Sequence, residues 1–164
     1  MPYTISVLAL LLLPPLVHAQ SHGQIFASAG QMVVGDDGAQ VTLSAGGEKV
    51  GARGLSAGAD ALVSFGRTGF RPGFSNGQPY RQYLLSALVG AHAVRERGFA
   101  PFINGGVSMI TDPDCCGPYV GWNVGGGTHY WLTERLGVRA DARVVLPFAG
   151  EGGLAMARVG MAFR

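Results

Sequence analysis

Along most of the chain, polar or small residues alternate with apolar ones, so that every second side chain is of the same kind. In the stretch RADARVV, the charged residues Arg139, Asp141 and Arg143 are separated by alanines. A period of two is typical of a β-strand, because successive side chains of a strand point to opposite faces. The pattern predicts strands that have one polar and one apolar face.

Clusters of Gly, Pro and Asp divide the chain into eight segments of strand length. The connections between these segments alternate between two kinds. Four are rich in Gly, Pro or Asp, namely GDDGAQ, TGFRPGFSNGQP, TDPDCCGP and AGEGG, and three are tighter, namely GARG, RERG and TER. Long loops at one end and short turns at the other are typical of outer-membrane barrels. We therefore predict an all-β fold, an eight-stranded antiparallel up-and-down transmembrane β-barrel. Its strands are Gln24 to Val34, Val41 to Val50, Leu55 to Arg67, Tyr80 to Val94, Phe99 to Ile110, Tyr119 to Leu132, Leu136 to Phe148, and Leu154 to Arg164.

Alternation alone does not decide which face points inward. A membrane barrel places the apolar set toward lipid, whereas a soluble, lipocalin-like barrel that binds an apolar ligand places it inside. Phe26, Leu84, Leu88 and Phe102 leave the faces of the first, fourth and fifth strands unassigned. Aromatic residues near strand ends favour the membrane barrel, because they are placed like the girdles at its two interfaces: Phe65, Tyr80, Tyr83, Phe99, Tyr119, Trp122, Tyr130, Trp131, Phe148 and Phe163.

The first nineteen residues have the pattern of a secretory signal peptide. An apolar run from Ile5 to Leu13 is too short to span a bilayer as a helix, and Val17-His18-Ala19 is a small-residue cleavage pattern. We expect cleavage after Ala19, which leaves residues 20–164 as the barrel domain. An uncleaved anchor is the alternative.

Composition agrees with a barrel in lipid. Only 13% of the residues are charged and Lys49 is the single lysine, whereas soluble domains carry about 25% charged residues. The net charge of +2 is small and the arginines are scattered, so nucleic-acid binding is not expected.

The polar faces predict a network of charged residues inside the barrel. An eight-stranded barrel is just wide enough for side chains to fill it, and buried charges need partners. We expect a lumen network that fixes strand order, or opens as a narrow ion path when its pairs exchange. Its members are Glu48, Asp60, His92, His129, Arg139, Asp141, Arg143 and Arg158, with Asn104 nearby.

The segments GWNVGGGTHYWLTERLGVRADARVVLPF, QIFASAGQMVVGDDG and VGMAFR resemble parts of the small OmpA-like outer-membrane β-barrel family. The resemblance implies a monomer in the bacterial cell outer membrane, with a structural or surface-interaction role. It also implies contact with outer-membrane lipid and with the barrel-assembly machinery, for which Phe163 would be the signal. That family commonly ends on the aromatic residue, whereas Arg164 follows it here.

Enzymatic activity is not expected. Small outer-membrane barrels include acyltransferases and deacylases, and His92 with Ser86 or His129 with Thr128 are the pairs to consider. Neither spacing marks a nucleophile with a base and an orienting acid.

No cofactor or metal is predicted either. Acidic residues in GDDG and TDPDCCG are more often there for turn geometry. Cys115 and Cys116 are adjacent, and their Cα separation of about 3.8 Å lies below the usual disulfide range. Three interpretations of the pair remain open: free thiols, a strained disulfide, or a soft-metal or intermolecular site.

Overall fold

Each of the eight predicted segments forms a β-strand in the computed structural model, which describes residues 21–34, 38–67, 79–93, 95, 97–113, 116–148 and 152–164. The predicted signal peptide, residues 1–19, and Cys115 lie outside the described residues, as does the side chain of Cys116. No helix among the described residues is long and apolar enough to cross a membrane. The strands are β1 His22–Val34, β2 Ala39–Val50, β3 Leu55–Arg67, β4 Pro79–His92, β5 Gly98–Asp112, β6 Cys116–Trp131, β7 Leu136–Pro147 and β8 Leu154–Phe163.

The sheet closes on itself. Each strand pairs antiparallel with its sequence neighbours, and β1 also pairs with β8, with Ile25 opposite Phe163 and Val34 opposite Leu154. Closure satisfies the backbone groups that an open sheet would leave at two edges. The predicted fold, an eight-stranded antiparallel up-and-down transmembrane β-barrel, is confirmed. The start of β1 and the end of β8 meet at the end that carries the 51–54, 93–97 and 132–135 connections, called here the turn end; the opposite end is the loop end.

Most apolar side chains of the strands point outward, and the charged side chains in the middle of the barrel point inward. Val159 is 60% exposed, whereas its neighbour Arg158 is 2% exposed and Arg139 is 0% exposed. The soluble alternative, with its apolar face inside, is therefore wrong. A barrel whose outer face is this apolar is stable only where lipid or detergent covers it.

The predicted difference in length between loops and turns holds for one connection only. Residues 68–78 form a long connection between β3 and β4, but 35–38, 113–115 and 148–153 are similar in length to the turns. The strands continue into segments that the sequence marks as loops, so that β5 ends at Asp112 and β6 begins at Cys116. Asp112 lies opposite Cys116 across a register shift, so the strand pairing extends into the segment that the sequence marks as a loop.

The residues that left three strands unassigned point into the lumen. Phe26, Leu84, Leu88 and Phe102 are between 1% and 6% exposed. Apolar layers therefore fill both ends of the lumen, because side chains rather than water occupy the interior of a barrel this narrow. The loop-end layer contains Met32, Leu62, Leu84, Ile110, Val145, Leu154 and Met156, and the turn-end layer contains Phe26, Ala100, Trp131 and Ala162.

Most of the aromatic residues predicted at the interfaces do point outward. Trp122 and Phe148 pack together at the loop end with ring centroids 4.9 Å apart. The prediction is wrong for Trp131, which is 2% exposed, and for Tyr119, which packs against the loop-end layer. Strand periodicity explains this, because Trp131 follows the outward-facing Tyr130 and must point the other way.

Candidate functional site

All eight predicted network residues face the lumen. Seven are buried, and the side chain of His92 is 5% exposed. The structure brings them together in two groups that touch each other: a central cluster in the middle of the barrel and a turn-end cluster beside it. The central cluster is Asp60, Asp141, Arg143 and Arg158, and the turn-end cluster is Glu48, His92, His129 and Arg139.

In the central cluster, Asp60 is shared by two arginines. Nη1 of Arg143 donates to its carboxylate at 3.0 Å, and Nη1 of Arg158 donates at 3.1 Å. Nη2 of Arg158 also donates to Asp141. The side chains of Asp60, Arg143 and Arg158 are all 0% exposed. In such a setting a charge without its partner carries a large desolvation penalty.

In the turn-end cluster, Glu48 is the common acceptor. Its Oε1 accepts from Nη1 of Arg139 at 2.8 Å and from Nε2 of Gln24 at 2.8 Å. Its Oε2 lies 2.9 Å from Nε2 of His92. Nη1 of Arg139 also lies 3.4 Å from Nε2 of His129. One carboxylate on β2 therefore connects side chains from β1, β4 and β7 across the lumen.

The Arg139 guanidinium lies between two aromatic rings. Its central carbon is 4.0 Å from the centroid of Phe26 and 4.3 Å from that of Phe102. A desolvated cation over an aromatic face gains about 2 kcal/mol. The two phenylalanines that the alternation could not place therefore hold the charged end of Arg139 in position.

The aromatic contacts continue toward the turn end. His92 stacks on Phe102 with centroids 5.0 Å apart, and His129 stacks on Trp131 at 5.3 Å. The guanidinium of Arg164 lies 3.8 Å above the Trp131 ring. Side chains thus fill the cross-section from the middle of the barrel to the turn end.

The two clusters balance in charge. Three carboxylates, from Glu48, Asp60 and Asp141, face three guanidinium groups, and an ion pair of 3.8 Å between Nε of Arg139 and Asp141 joins the clusters. Pairing is incomplete at the atomic level, because Nε and Nη2 of both Arg139 and Arg143 have no hydrogen-bond partner among the described residues.

Neither pair considered for catalysis has the required geometry. The Ser86 hydroxyl bonds to Ser108 at 2.9 Å and accepts from Nη1 of Arg143 at 3.3 Å, whereas His92 contacts Glu48. Thr128 faces outward and its hydroxyl donates to the backbone oxygen of His129, whose ring faces the lumen. Each candidate nucleophile is therefore engaged by something other than its candidate base.

Among the residues described, no group of three or more His, Cys, Asp or Glu side chains is arranged to hold a metal ion. The buried carboxylates are instead occupied by arginines. Of the acidic loop residues in GDDG and TDPDCCG, Asp36, Asp37 and Asp114 lie outside the described part of the chain.

Lumen glycines make room for the charged side chains. A Cβ on Gly125 would lie 3.0 Å from Cβ of Arg143, and one on Gly46 would lie 2.6 Å from Cζ of Phe26 and 2.7 Å from Cβ of Asp60. The middle glycine of the GGG run, Gly126, faces outward. The other two glycines of the run, Gly125 and Gly127, relieve crowding on the lumen side.

Gly46→Ala should destabilise the barrel by about 1–3 kcal/mol, because the added methyl group overpacks the lumen between Phe26 and Asp60. The next residue is a matched control: a Cβ on Gly47 faces outward and lies 3.4 Å from its nearest neighbour, the Gln24 carbonyl oxygen. Chemical denaturation in lipid vesicles measures both variants. Equal effects of the two substitutions would show that Gly46 is not needed for lumen packing.

Several lumen residues are missing from the sequence-based site. The turn-end cluster is contacted directly by Gln24, Phe26 and Phe102. The Ser108 hydroxyl, which bonds to Ser86, also accepts a hydrogen bond from Nδ2 of Asn123 at 2.8 Å. The alternation of side chains along the strand assigns Asn123 to the lumen face. This alternation carries no information on which residues meet across the barrel. Asn104 is 4% exposed, as expected for a lumen residue, and its Oδ1 has no hydrogen-bond partner in the part of the chain that the structure describes.

Comparison with solved structures finds membrane barrels. The chain is similar to Neisserial surface protein A (13% identity, TM-score 0.62), with coverage of 87% of this chain and 96% of that one. It is also similar to OprG of Pseudomonas aeruginosa (12% identity, TM-score 0.63), with coverage of 90% of this chain and 98% of that one. A third similar structure is Ail, the attachment invasion locus protein of Yersinia pestis (8% identity, TM-score 0.54), with coverage of 90% of this chain and 100% of that one. No family model matches the sequence, and no curated protein matches it. At these identities the similarity establishes the fold: the chain has the architecture of outer-membrane barrels.

Proposed function

We propose that the chain is a monomeric outer-membrane β-barrel of the OmpA-like kind, with a structural or surface-interaction role and a lumen closed by its salt-bridge network. The observation that carries the proposal is the division of side chains: apolar residues cover the outside while three carboxylates and three arginines compensate each other inside. The outer-membrane location is further supported by solved barrels of the same architecture.

Closure of the lumen is supported by its filling. Apolar layers lie at both ends, and the clusters lie between them. At the turn end, a cavity beside Gln24, His129 and Trp131 has a volume of only ≈ 10 Å³ available to water, which is about the space of one molecule. A filled lumen favours a rigid scaffold over an open pore, and the connections of the loop end would then present the surface that meets other molecules. Two of the solved barrels are a surface protein and an attachment protein by name.

Biogenesis follows from the same proposal. The signal peptide 1–19 would direct export, and the barrel-assembly machinery would recognise the last strand through Phe163. That ring is 44% exposed on the outer face of β8. Arg164 leaves it accessible, because the Arg164 guanidinium turns to the Trp131 ring.

The first test is an SDS gel of the outer-membrane fraction, with and without boiling. A closed barrel remains folded in SDS and should change its migration only after heating. A heat-dependent shift of protein in that fraction is the expected result. Recovery of the protein as a soluble periplasmic species with no shift would contradict the proposal.

A narrow channel is the second candidate, and the unsatisfied donors of Arg139 and Arg143 favour it. Groups with spare bonding capacity can exchange partners and open a path transiently. We expect the unmodified barrel in a planar bilayer to show no steady conductance, because the lumen is filled. Sustained ion current through the purified barrel would favour the channel over the closed scaffold.

A further inference from the structure

The charged residues of the chain are divided unequally between the two ends of the barrel. The two lumen clusters are balanced in charge. By sequence, the strand ends and connections on the loop side contain three basic residues, Arg67, Arg71 and Arg81, and five acidic ones, Asp36, Asp37, Asp112, Asp114 and Glu151, of which the structure describes Arg67, Arg81 and Asp112. Those on the turn side contain six basic residues, Lys49, Arg53, Arg95, Arg97, Arg135 and Arg164, and two acidic ones, Glu96 and Glu134, of which all but Glu96 are described. The positive charge of the protein is therefore concentrated at the turn end.

Five of these basic residues form what we call the basic rim: Lys49, Arg53, Arg95, Arg97 and Arg135. All five are exposed. Arg97 forms an ion pair with Glu134 at 3.7 Å, but both side chains are 72% exposed, so this pair neutralises little of the charge of the rim. The rim extends over the three turns and the end of β2, so it surrounds the barrel end and does not form one pocket.

The position of the rim relative to the aromatic residues indicates what it meets. Phe99 is 56% exposed, Tyr130 is 51% exposed, and the two are partners across β5 and β6, directly beside the turns. Phe163 is 44% exposed at the same end. Outward-facing aromatic residues lie at the headgroup level of a bilayer. Basic side chains immediately beyond them reach the layer of lipid phosphates.

We propose that the basic rim binds the phosphate groups of anionic phospholipids in the leaflet at the turn end, an inference that rests on the proposed membrane location. Charges distributed around the barrel match a ring of separate headgroups. A single soluble anion would need convergent donors, whereas these side chains diverge from three turns. Each basic residue near an anionic surface contributes about 1 kcal/mol, which corresponds to about a fivefold preference.

The test uses the barrel refolded into phosphatidylcholine vesicles, with spin-labelled phosphatidylglycerol or phosphatidylcholine as the probe. The rim variant carries Arg53→Gln, Arg95→Gln and Arg135→Gln. The control variant carries Arg67→Gln, Arg71→Gln and Arg81→Gln at the loop end, with the same change in net charge. We expect the unmodified barrel to favour phosphatidylglycerol about fivefold, the rim variant to approach parity, and the control to retain the preference.

Three results would overturn the inference: no preference for phosphatidylglycerol in the unmodified barrel, the same loss in both variants, or a preference unaffected by molar salt. If the rim variant instead lost retention on purified peptidoglycan with unchanged lipid association, the rim would serve the cell wall. Folding is checked first by the heat-dependent gel shift. A barrel that never inserts contradicts the proposed function itself, whereas an inserted barrel without lipid preference contradicts only the role of the rim.

Discussion

Asp60→Asn is expected to lower the free energy of unfolding of the barrel by about 3–5 kcal/mol, because it removes the charge of one partner in a buried ion pair and leaves the other uncompensated. Asp60 accepts from both Arg143 and Arg158, and all three side chains are 0% exposed. Without the carboxylate, the lumen holds one uncompensated positive charge. Denaturation with guanidinium chloride in lipid vesicles, followed by tryptophan fluorescence, measures the loss.

Two variants show whether burial causes the effect. Glu134→Gln removes an exposed carboxylate from its pair with Arg97 and should change the free energy of unfolding by less than about 0.5 kcal/mol. Asp60→Asn combined with Arg143→Met removes the excess charge and should recover part of the loss. A loss below about 1 kcal/mol for Asp60→Asn, or no recovery in the double variant, would mean that water reaches the central cluster and screens it.

Ala140→Arg is expected to cost about 2–4 kcal/mol, because it places a guanidinium on the lipid face near the middle of the membrane. Ala140 lies between Thr128 of β6 and Val159 of β8, and Val159 is 60% exposed on the outer face. The substitution adds no strain in the lumen, so the cost reports on the surroundings of the outer face.

Leu132→Arg is the depth control. Leu132 is 53% exposed and is the first residue of the 132–135 turn, where a charge should reach the headgroup layer at a cost of about 0–1 kcal/mol. Unfolding free energies of both variants in vesicles give the comparison. Equal costs at the two depths would indicate that the apolar face does not span a bilayer.

All eight strands, and the faces of five of them, could be predicted because they depend on local pattern. Predicted and observed bounds agree within a few residues; β3, for example, is Leu55–Arg67 in both. The charged face of β7 follows directly from RADARVV, and Arg139, Asp141 and Arg143 all lie inside. The glycine-rich turn segments predict the number of strands. This number, together with the alternation of polar and apolar residues, predicts the barrel.

The pairing across the lumen could not be predicted, since it depends on how far each strand is shifted along its neighbours. The sequence proposes Glu48 and Arg139 as lumen residues, but their contact at 2.8 Å requires the stagger of the whole barrel. The inward direction of Phe26 and Phe102 was also missed, because an apolar residue fits either the lipid face or a filled lumen. The structure shows that both rings point inward, where they contact the Arg139 guanidinium.

The ion pairs that cross the lumen also determine when the barrel gains its stability. Glu48 and Arg139 are 91 residues apart in the chain, and Asp60 is 83 residues from Arg143 and 98 from Arg158. Contacts of such separation form after the loops between them are closed. We therefore expect the clusters to be absent from the transition state and to form when β7 and β8 complete the barrel. Losing Asp60 should then leave the folding rate nearly unchanged and accelerate unfolding, so the network sets the lifetime of the inserted protein.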